Sequence, residues 1–247
     1  MPDLLWPLSL AILGLIFGSF IATVAVRWPQ GRSALKGRSA CDACDKTLGA
    51  HELVPLLSYA LQRGRCRGCG DKIHSGHPAV EIIGALVGLA AGLVAPGWEG
   101  VAGAIFGWLL LTLAALDLMA FWLPNALTAT LAATGIVSGL FFEPGWLDRI
   151  AGGVIGFGLL YLVAFTYRYV RGRDGLGGGD PKMFGGIGLW LGASMLAPVL
   201  LVASVTGLAV ALALRLSGRE MKMTSRLPLG TLLAVAAFPT WLYQAGL

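Results

Sequence analysis

Long apolar runs recur from one end of this chain to the other, at 4–26, 79–97, 101–118, 124–142, 150–167, 183–195, 197–214 and 228–245. The hydrocarbon core of a bilayer takes roughly 20 residues of helix. Inside it every backbone N–H and C=O must be paired within the segment itself, which leaves helices or closed barrels. The runs therefore predict an all-α polytopic membrane protein of about eight transmembrane helices. Composition agrees: 56% of residues are hydrophobic and 13% charged, against about 25% charged in a soluble domain. The 36 glycines suit close helix packing in lipid. The first run has no basic residue before it and is long enough to span, so it reads as a retained helix rather than a cleaved signal peptide. The stretch 183–214 is divided in two around Gly192, Ala193 and Ser194, with Pro198 beyond. One tilted helix is the alternative.

Basic residues orient the chain. Nine of the 18 lie in 27–77, four in 168–182 and four in 215–226. Only Arg149 falls on the opposite side. Eight crossings put all three basic segments on one side, which the positive-inside rule makes the cytoplasm. Both termini are then periplasmic, and the expected location is the bacterial inner membrane, in contact with lipid. The formal charge of +5 is explained by this topology, and no nucleic-acid partner is called for.

The one large loop, 27–77, holds all four cysteines, as Cys41-Asp-Ala-Cys44 and Cys66-Arg-Gly-Cys69. Two such knuckles predict a tetrahedral Zn2+ site, structural because four thiolates close the coordination sphere. A pair of disulfides or four free thiols is the alternative, and lasting disulfides are rare in the reducing cytoplasm. A short loop has little core of its own, so metal binding would supply its folding free energy.

Ionisable residues within apolar segments are functional candidates by default. Glu81 stands at the start of the second run, where a helix dipole also favours a carboxylate. Asp117 stands near the end of the third run, where the dipole disfavours an anion, and no Lys or Arg follows it in 118–124. Asp180 precedes Pro181 and follows Gly175-Leu-Gly-Gly-Gly179. It could be a simple helix cap, since Asp before Pro is a common helix start. Capping needs no glycine run, however, and glycines allow close approach of another backbone or an extended substrate. Both aspartates fall at cytoplasmic helix ends. If those helices touch, the two carboxylates share one proton and can activate a water for amide hydrolysis. Their dipoles suggest Asp180 as the ionised base and Asp117 as the proton holder.

These residues, in this order, resemble the bifunctional type IV prepilin peptidases, which also serve type II secretion. Gly18-Ser19-Phe20 followed by Arg27-Trp28-Pro29 resembles the family's first-helix signature. The cysteine loop resembles its cytoplasmic zinc loop, and His77 to Glu81 its Arg-Tyr-Pro-x-Val-Glu stretch. Asp117 with Leu123-Pro124-Asn125 resembles the first aspartate motif. Gly177-x-Gly179-Asp180-x-Lys182 resembles the GxGD-x-K motif shared with preflagellin peptidases and, more distantly, presenilin.

The resemblance implies a peptidase that cuts prepilins or pseudopilins at the cytoplasmic membrane face, after a glycine. It implies Asp117 and Asp180 as catalytic residues, with Gly177, Gly179, Lys182 and Glu81 in support. It further implies N-methylation of the new N-terminus with S-adenosylmethionine. Residues 1–100 would then form the methyltransferase region, and 101–247 a six-helix peptidase domain. Ala22, Leu53 and Asn125 depart from the family's usual residues; the first two lie in the half associated with methyl transfer. A proton-coupled transporter and a zinc-dependent assembly protein are the competing readings, because intramembrane carboxylates and glycine-broken helices also mark ion pathways.

Overall fold

The computed structural model describes residues 2–34, 37–217 and 227–246. Lys36, Arg219, Lys222 and Arg226, used above to orient the chain, lie outside the described residues. Among those described there is no strand, only two isolated bridges at Ala40–Thr47 and Arg65–Lys72. The helices are α1 (Pro2–Arg27), α2 (Leu57–Leu61), α3 (Gly76–Val94), α4 (Trp98–Ala120), α5 (Asn125–Ser138), α6 (Trp146–Arg171), α7 (Asp180–Leu191), α8 (Leu196–Leu216) and α9 (Leu229–Ala245). All except the single turn α2 occupy the predicted apolar runs. Helices α1, α3, α4, α6 and α8 are long and apolar enough to cross a membrane. Helices α5, α7 and α9, at 14, 12 and 17 residues, are shorter than the roughly 20 that a full crossing needs.

The chain divides into two units, Met1–Ala115 and Leu116–Leu247. In the first, α1 and α3 lie backbone against backbone. A Cβ added to Gly18 would stand 2.6 Å from the Cα of Glu81, and one added to Gly92 would stand 2.6 Å from the Cα of Pro7. Gly14, Gly84 and Gly88 are equally tight against the facing main chain. Small residues at such a seam let two helices gain dispersion contact where lipid gives no hydrophobic drive to associate. Trp108 of α4 closes the unit, its Nε1–H donating to the Gly84 carbonyl at 2.9 Å and its ring centroid 4.7 Å from that of Phe17.

The second unit is built around α7. Ten of its twelve residues are buried, against α5, α6 and α9, and a helix apolar on every side belongs in a core. Glycines again set the distance, Gly188 of α7 meeting Gly152 of α6 main chain to main chain. Trp190 of α7 donates its Nε1–H to the Leu131 carbonyl of α5 at 2.9 Å. The outer surface is apolar: on α6, Leu147 is 86% exposed and Val154 67%. Such a face needs lipid or another apolar cover. The division of 183–214 is real. Gly192 takes φ +81°, and Asp148 then accepts from the Ala193 N–H and the Ser194 hydroxyl, each at 3.2 Å.

Arg149, by sequence only the lone basic residue on its side, is 2% exposed. Its guanidinium donates to the carbonyls of Gly135, Leu189, Phe142, Glu143 and Pro144 at 2.7 to 3.0 Å, and to Ser138 Oγ. Carbonyls in the last turn of a helix lack intrahelical partners, and one planar fork of five donors satisfies the ends of α5 and α7 together. Arg149→Ala should therefore lower stability by on the order of 3 kcal/mol, through several buried acceptors left unpaired. Arg149→Lys should not rescue it, because an ammonium has only three donors and no fork. Thermal unfolding in detergent checks both.

Candidate active site

In the first unit the loop between α1 and α3 builds two matching knuckles. Cys41 N–H donates to the Lys46 carbonyl at 3.0 Å, and Cys66 N–H to the Asp71 carbonyl at 2.8 Å. Each turn is completed by a residue at positive φ, Asp45 at 54° and Gly70 at 74°. All four sulfurs come within 4.8 Å of one another, and no disulfide joins them. Tetrahedral metal–sulfur bonds would hold sulfurs about 3.8 Å apart; Cys41 and Cys69 are already at 4.0 Å. N–H groups of Cys69 and Gly68 hold the Cys66 thiol down to about 6. Lys46 N–H acts the same way on Cys44, yet the surrounding thiols of Cys69, Cys41 and Cys66, together with burial, push it up to about 12. Four such thiols cannot all ionise without a cation among them, so donor type, number and spacing fit a bound metal ion.

The loop has other supports. Glu52 accepts from the Gly49 N–H at 2.9 Å and pairs with Lys46 at 3.6 Å. Arg27, the last residue of α1, donates to the Ala40 carbonyl at 2.8 Å. Glu81 is 7% exposed and accepts from the Leu56 N–H at 2.8 Å. Leu56 holds φ +58° there, a strained value for a branched residue. Glu81 is thus tied to the loop rather than left as a free first-turn carboxylate.

In the second unit Asp117 and Asp180 line one cleft of about 1080 Å³. They are 5% and 6% exposed, and the charge of Asp117 is felt at Asp180. Asp117 lies one turn before the end of α4, and Phe121, at φ +49°, reverses the chain just after it. Asp180 opens α7. The capping alternative does not describe it: Gly179 occupies the cap position and no side-chain cap bond forms. Its own N–H instead donates to the Gly177 carbonyl at 3.2 Å.

The glycines before Asp180 do two different jobs. A Cβ on Gly179 would collide with the Cβ of Leu123, so that glycine is needed for packing within the chain, while one on Gly177 would stand in the cleft, 2.8 Å from the Asp180 carboxylate. A Cβ on Gly178 would meet nothing within 4 Å, and this glycine lines the open cleft. Lys182 Nζ donates to Asn125 Oδ1 at 2.7 Å, which ties the start of α7 to the start of α5. Aromatic rings of Phe157 and Tyr161, stacked at 5.6 Å, form an apolar wall; Arg173 and Lys182 add positive charge, and Arg168 pairs with Asp174 at 3.3 Å.

The residues that follow Asp117 in sequence, 118–124, hold nothing to compensate its charge. The compensation comes from 114 residues away. Thr231 N–H donates to Asp117 Oδ2 at 2.8 Å and Thr231 Oγ1–H to the same oxygen at 3.3 Å. The Thr231 N–H belongs to the first turn of α9, where N–H groups have no partner in their own helix and sit at its positive dipole end. The only local signal is Pro228 ahead of a small-residue turn.

Fold and site together define a helical membrane protein with a paired-carboxylate cleft and a four-thiol loop. Residues 12–94 match the family model described as Bacterial Peptidase A24 N-terminal domain, and residues 104–212 that of the Type IV leader peptidase family. A prepilin leader peptidase/N-methyltransferase of Aeromonas hydrophila is 35% identical, over 81% of this chain and 70% of its own. Proteins with the same name from Burkholderia pseudomallei (strain K96243) and Bacillus subtilis (strain 168) are each 34% identical; they cover 93% and 95% of this chain, and 82% and 93% of their own. No solved structure matches the chain. The chain belongs to the type IV leader peptidase family.

Protein purified under reducing conditions should carry about one metal ion per chain in a four-sulfur shell. Replacing both Cys41 and Cys44 by Ser should release it and make the loop protease-sensitive. Elemental analysis and X-ray absorption read the first, limited proteolysis the second.

Proposed function

We propose that this multi-pass inner-membrane protein is an aspartyl endopeptidase that removes the leader of type IV prepilins or pseudopilins, with Asp117 and Asp180 as its catalytic pair. The observation that carries the assignment is two buried carboxylates, from separate helices, opening on one cleft with an exposed glycine at its edge. The family to which the chain belongs supplies the reaction class.

In this reading Asp117 is the ionised member. Donors at Oδ2 favour its anion, because a carboxylate that accepts hydrogen bonds is stabilised in the charged form. That reverses the assignment suggested by the two helix dipoles alone. Asp180, beside that charge, holds the shared proton, since two carboxylates so placed do not both ionise easily. Asp117 takes a proton from water as its oxygen attacks the scissile carbonyl carbon, and Asp180 gives its proton to the carbonyl oxygen. The gem-diol then collapses: a hydroxyl proton returns to Asp180, the C–N bond breaks, and the departing amine takes the proton held by Asp117. Gly178 gives an extended peptide room beside the pair. Lys182, fixed on Asn125, keeps a cation at the rim.

The basic segments put this cleft on the cytoplasmic face and both termini in the periplasm. The four thiolates suit a structural zinc ion better than harder cations, which prefer oxygen. Residues 101–247 carry out cleavage. Residues 1–100 carry out N-methylation with S-adenosylmethionine, Glu81 being the acidic residue that orders the loop around that site. The N-methyltransferase half of the relatives' name supports this.

The test is Asp180→Asn against wild type, matched for folding and membrane level, with prepilin cleavage followed by mass spectrometry. Cleavage should fall by about a thousandfold, and likewise for Asp117→Asn. An Asp180→Asn protein that still cuts would remove Asp180 from the catalytic pair. The same spectra read methylation. Wild-type product should carry one added methyl group on its new N-terminus, and an unmodified product would remove the second activity.

A further inference from the structure

We propose that Thr231, in the first turn of α9, is a positioning residue for cleavage: its N–H and hydroxyl clamp Oδ2 of Asp117 and leave Oδ1 to meet the attacking water. The proposal rests on the assignment of Asp117 as the ionised catalytic residue. Three observations carry it.

First, both donors converge on the same oxygen, at 2.8 and 3.3 Å. A carboxylate on two freely rotating side-chain bonds has many orientations. Two donors from one rigid helix turn select one of them, and hydrogen bonds to a charged acceptor are roughly twice as strong as neutral ones.

Second, the surroundings prevent the clamp from being replaced by another geometry. Gly230 is packed so that a Cβ there would stand 3.0 Å from Asp117 Oδ2 and 3.0 Å from the methyl carbons of Leu123. Leu123 in turn packs on Gly179, the residue before Asp180. Asp117, Leu123, the start of α7 and the start of α9 therefore form one contiguous contact. A shift of the α9 turn would move Asp117 relative to Asp180.

Third, Thr231 sits inside the site itself, where its N–H already pairs the first turn of α9 with the carboxylate at 2.8 Å. The hydroxyl is a second donor aimed at the same oxygen, inside a site where Asp117 is 5% exposed.

The experiment measures single-turnover and steady-state cleavage of a prepilin by the full-length enzyme in detergent, for Thr231→Val, Thr231→Ala, Thr231→Ser and Asp117→Asn. Valine keeps the shape and the N–H but removes the hydroxyl donor. It should lower kcat on the order of 10- to 100-fold, the effect of losing one hydrogen bond to a charged group, with KM changed by less than about threefold. Serine should recover most of the loss. Alanine, smaller than either, carries the same comparison if the valine protein folds poorly. Melting temperatures separate folding from catalysis, because a purely structural threonine would change stability and leave kcat of the folded fraction alone. A wild-type kcat in folded Thr231→Val or Thr231→Ala overturns the proposal, as does a loss that serine fails to recover. If Asp117→Asn itself still cleaves, the catalytic assignment fails and the proposal with it. A dead Asp117→Asn beside a fully active Thr231→Val sinks only the proposal.

Discussion

A carboxylate among apolar helices is stable only if donors reach it, and the second unit is arranged around that requirement. Asp117 stands at the wrong end of its own helix for an anion, and the first turn of α9 supplies what α4 cannot. The shorter of those bonds comes from a main-chain N–H of the helix start, which needs no side-chain ordering, and the Thr231 hydroxyl adds the second. They also fix α9 against the turn after α4, where Leu123 packs on Gly179. The electrostatic need of one aspartate thus sets the position of the helix start that presents the other.

The same logic runs through the opposite end of that unit. Arg149 gathers carbonyls from the ends of α5 and α7, together with those of the connection between α5 and α6. Helix α7 is therefore held at its start by Lys182 and the packing of Gly179, and at its end by Arg149. Short and buried on nearly every face, it gives Asp180 a rigid base. In the proposed role rigidity matters, because a hydrolytic pair must be held close to its productive geometry. The first unit solves a different problem. Its loop has no strands and little apolar material, and its order comes from two knuckles whose sulfurs converge, with Glu52 bracing the loop internally and Arg27 and Glu81 tying it to α1 and α3.

Much of this is legible in the sequence because hydrophobic period and charge are local signals. The apolar runs correspond to eight helices, the break near Gly192 is visible as a run of small residues, and the knuckles announce themselves by spacing. Asp117 and Asp180 stand out because charge is scarce in such runs. What stays hidden depends on partners far apart in the chain. Thr231 looks like any threonine in a first turn until its distance to Asp117 is known. Arg149 reads as a topological marker although it is a buried hydrogen-bond hub. The glycines of 175–179 read as one feature, whereas packing separates Gly179, which is closed against Leu123, from Gly177 and Gly178, which line the cleft. Helices α7 and α9 keep close to the lengths of their apolar runs, while α5 stops at Ser138, before its run ends at 142.

The central claim is that Asp117 and Asp180 act as one unit on one peptide bond. Comparing single-turnover cleavage by the Asp117→Asn and Asp180→Asn proteins with that of the double variant tests it most directly, because residues that work together lose their joint effect when either is removed. The account predicts a double variant no slower than the slower single variant. Losses that multiply, with the double variant slower by the product of the two single effects, would mean that the two aspartates act independently and would contradict it.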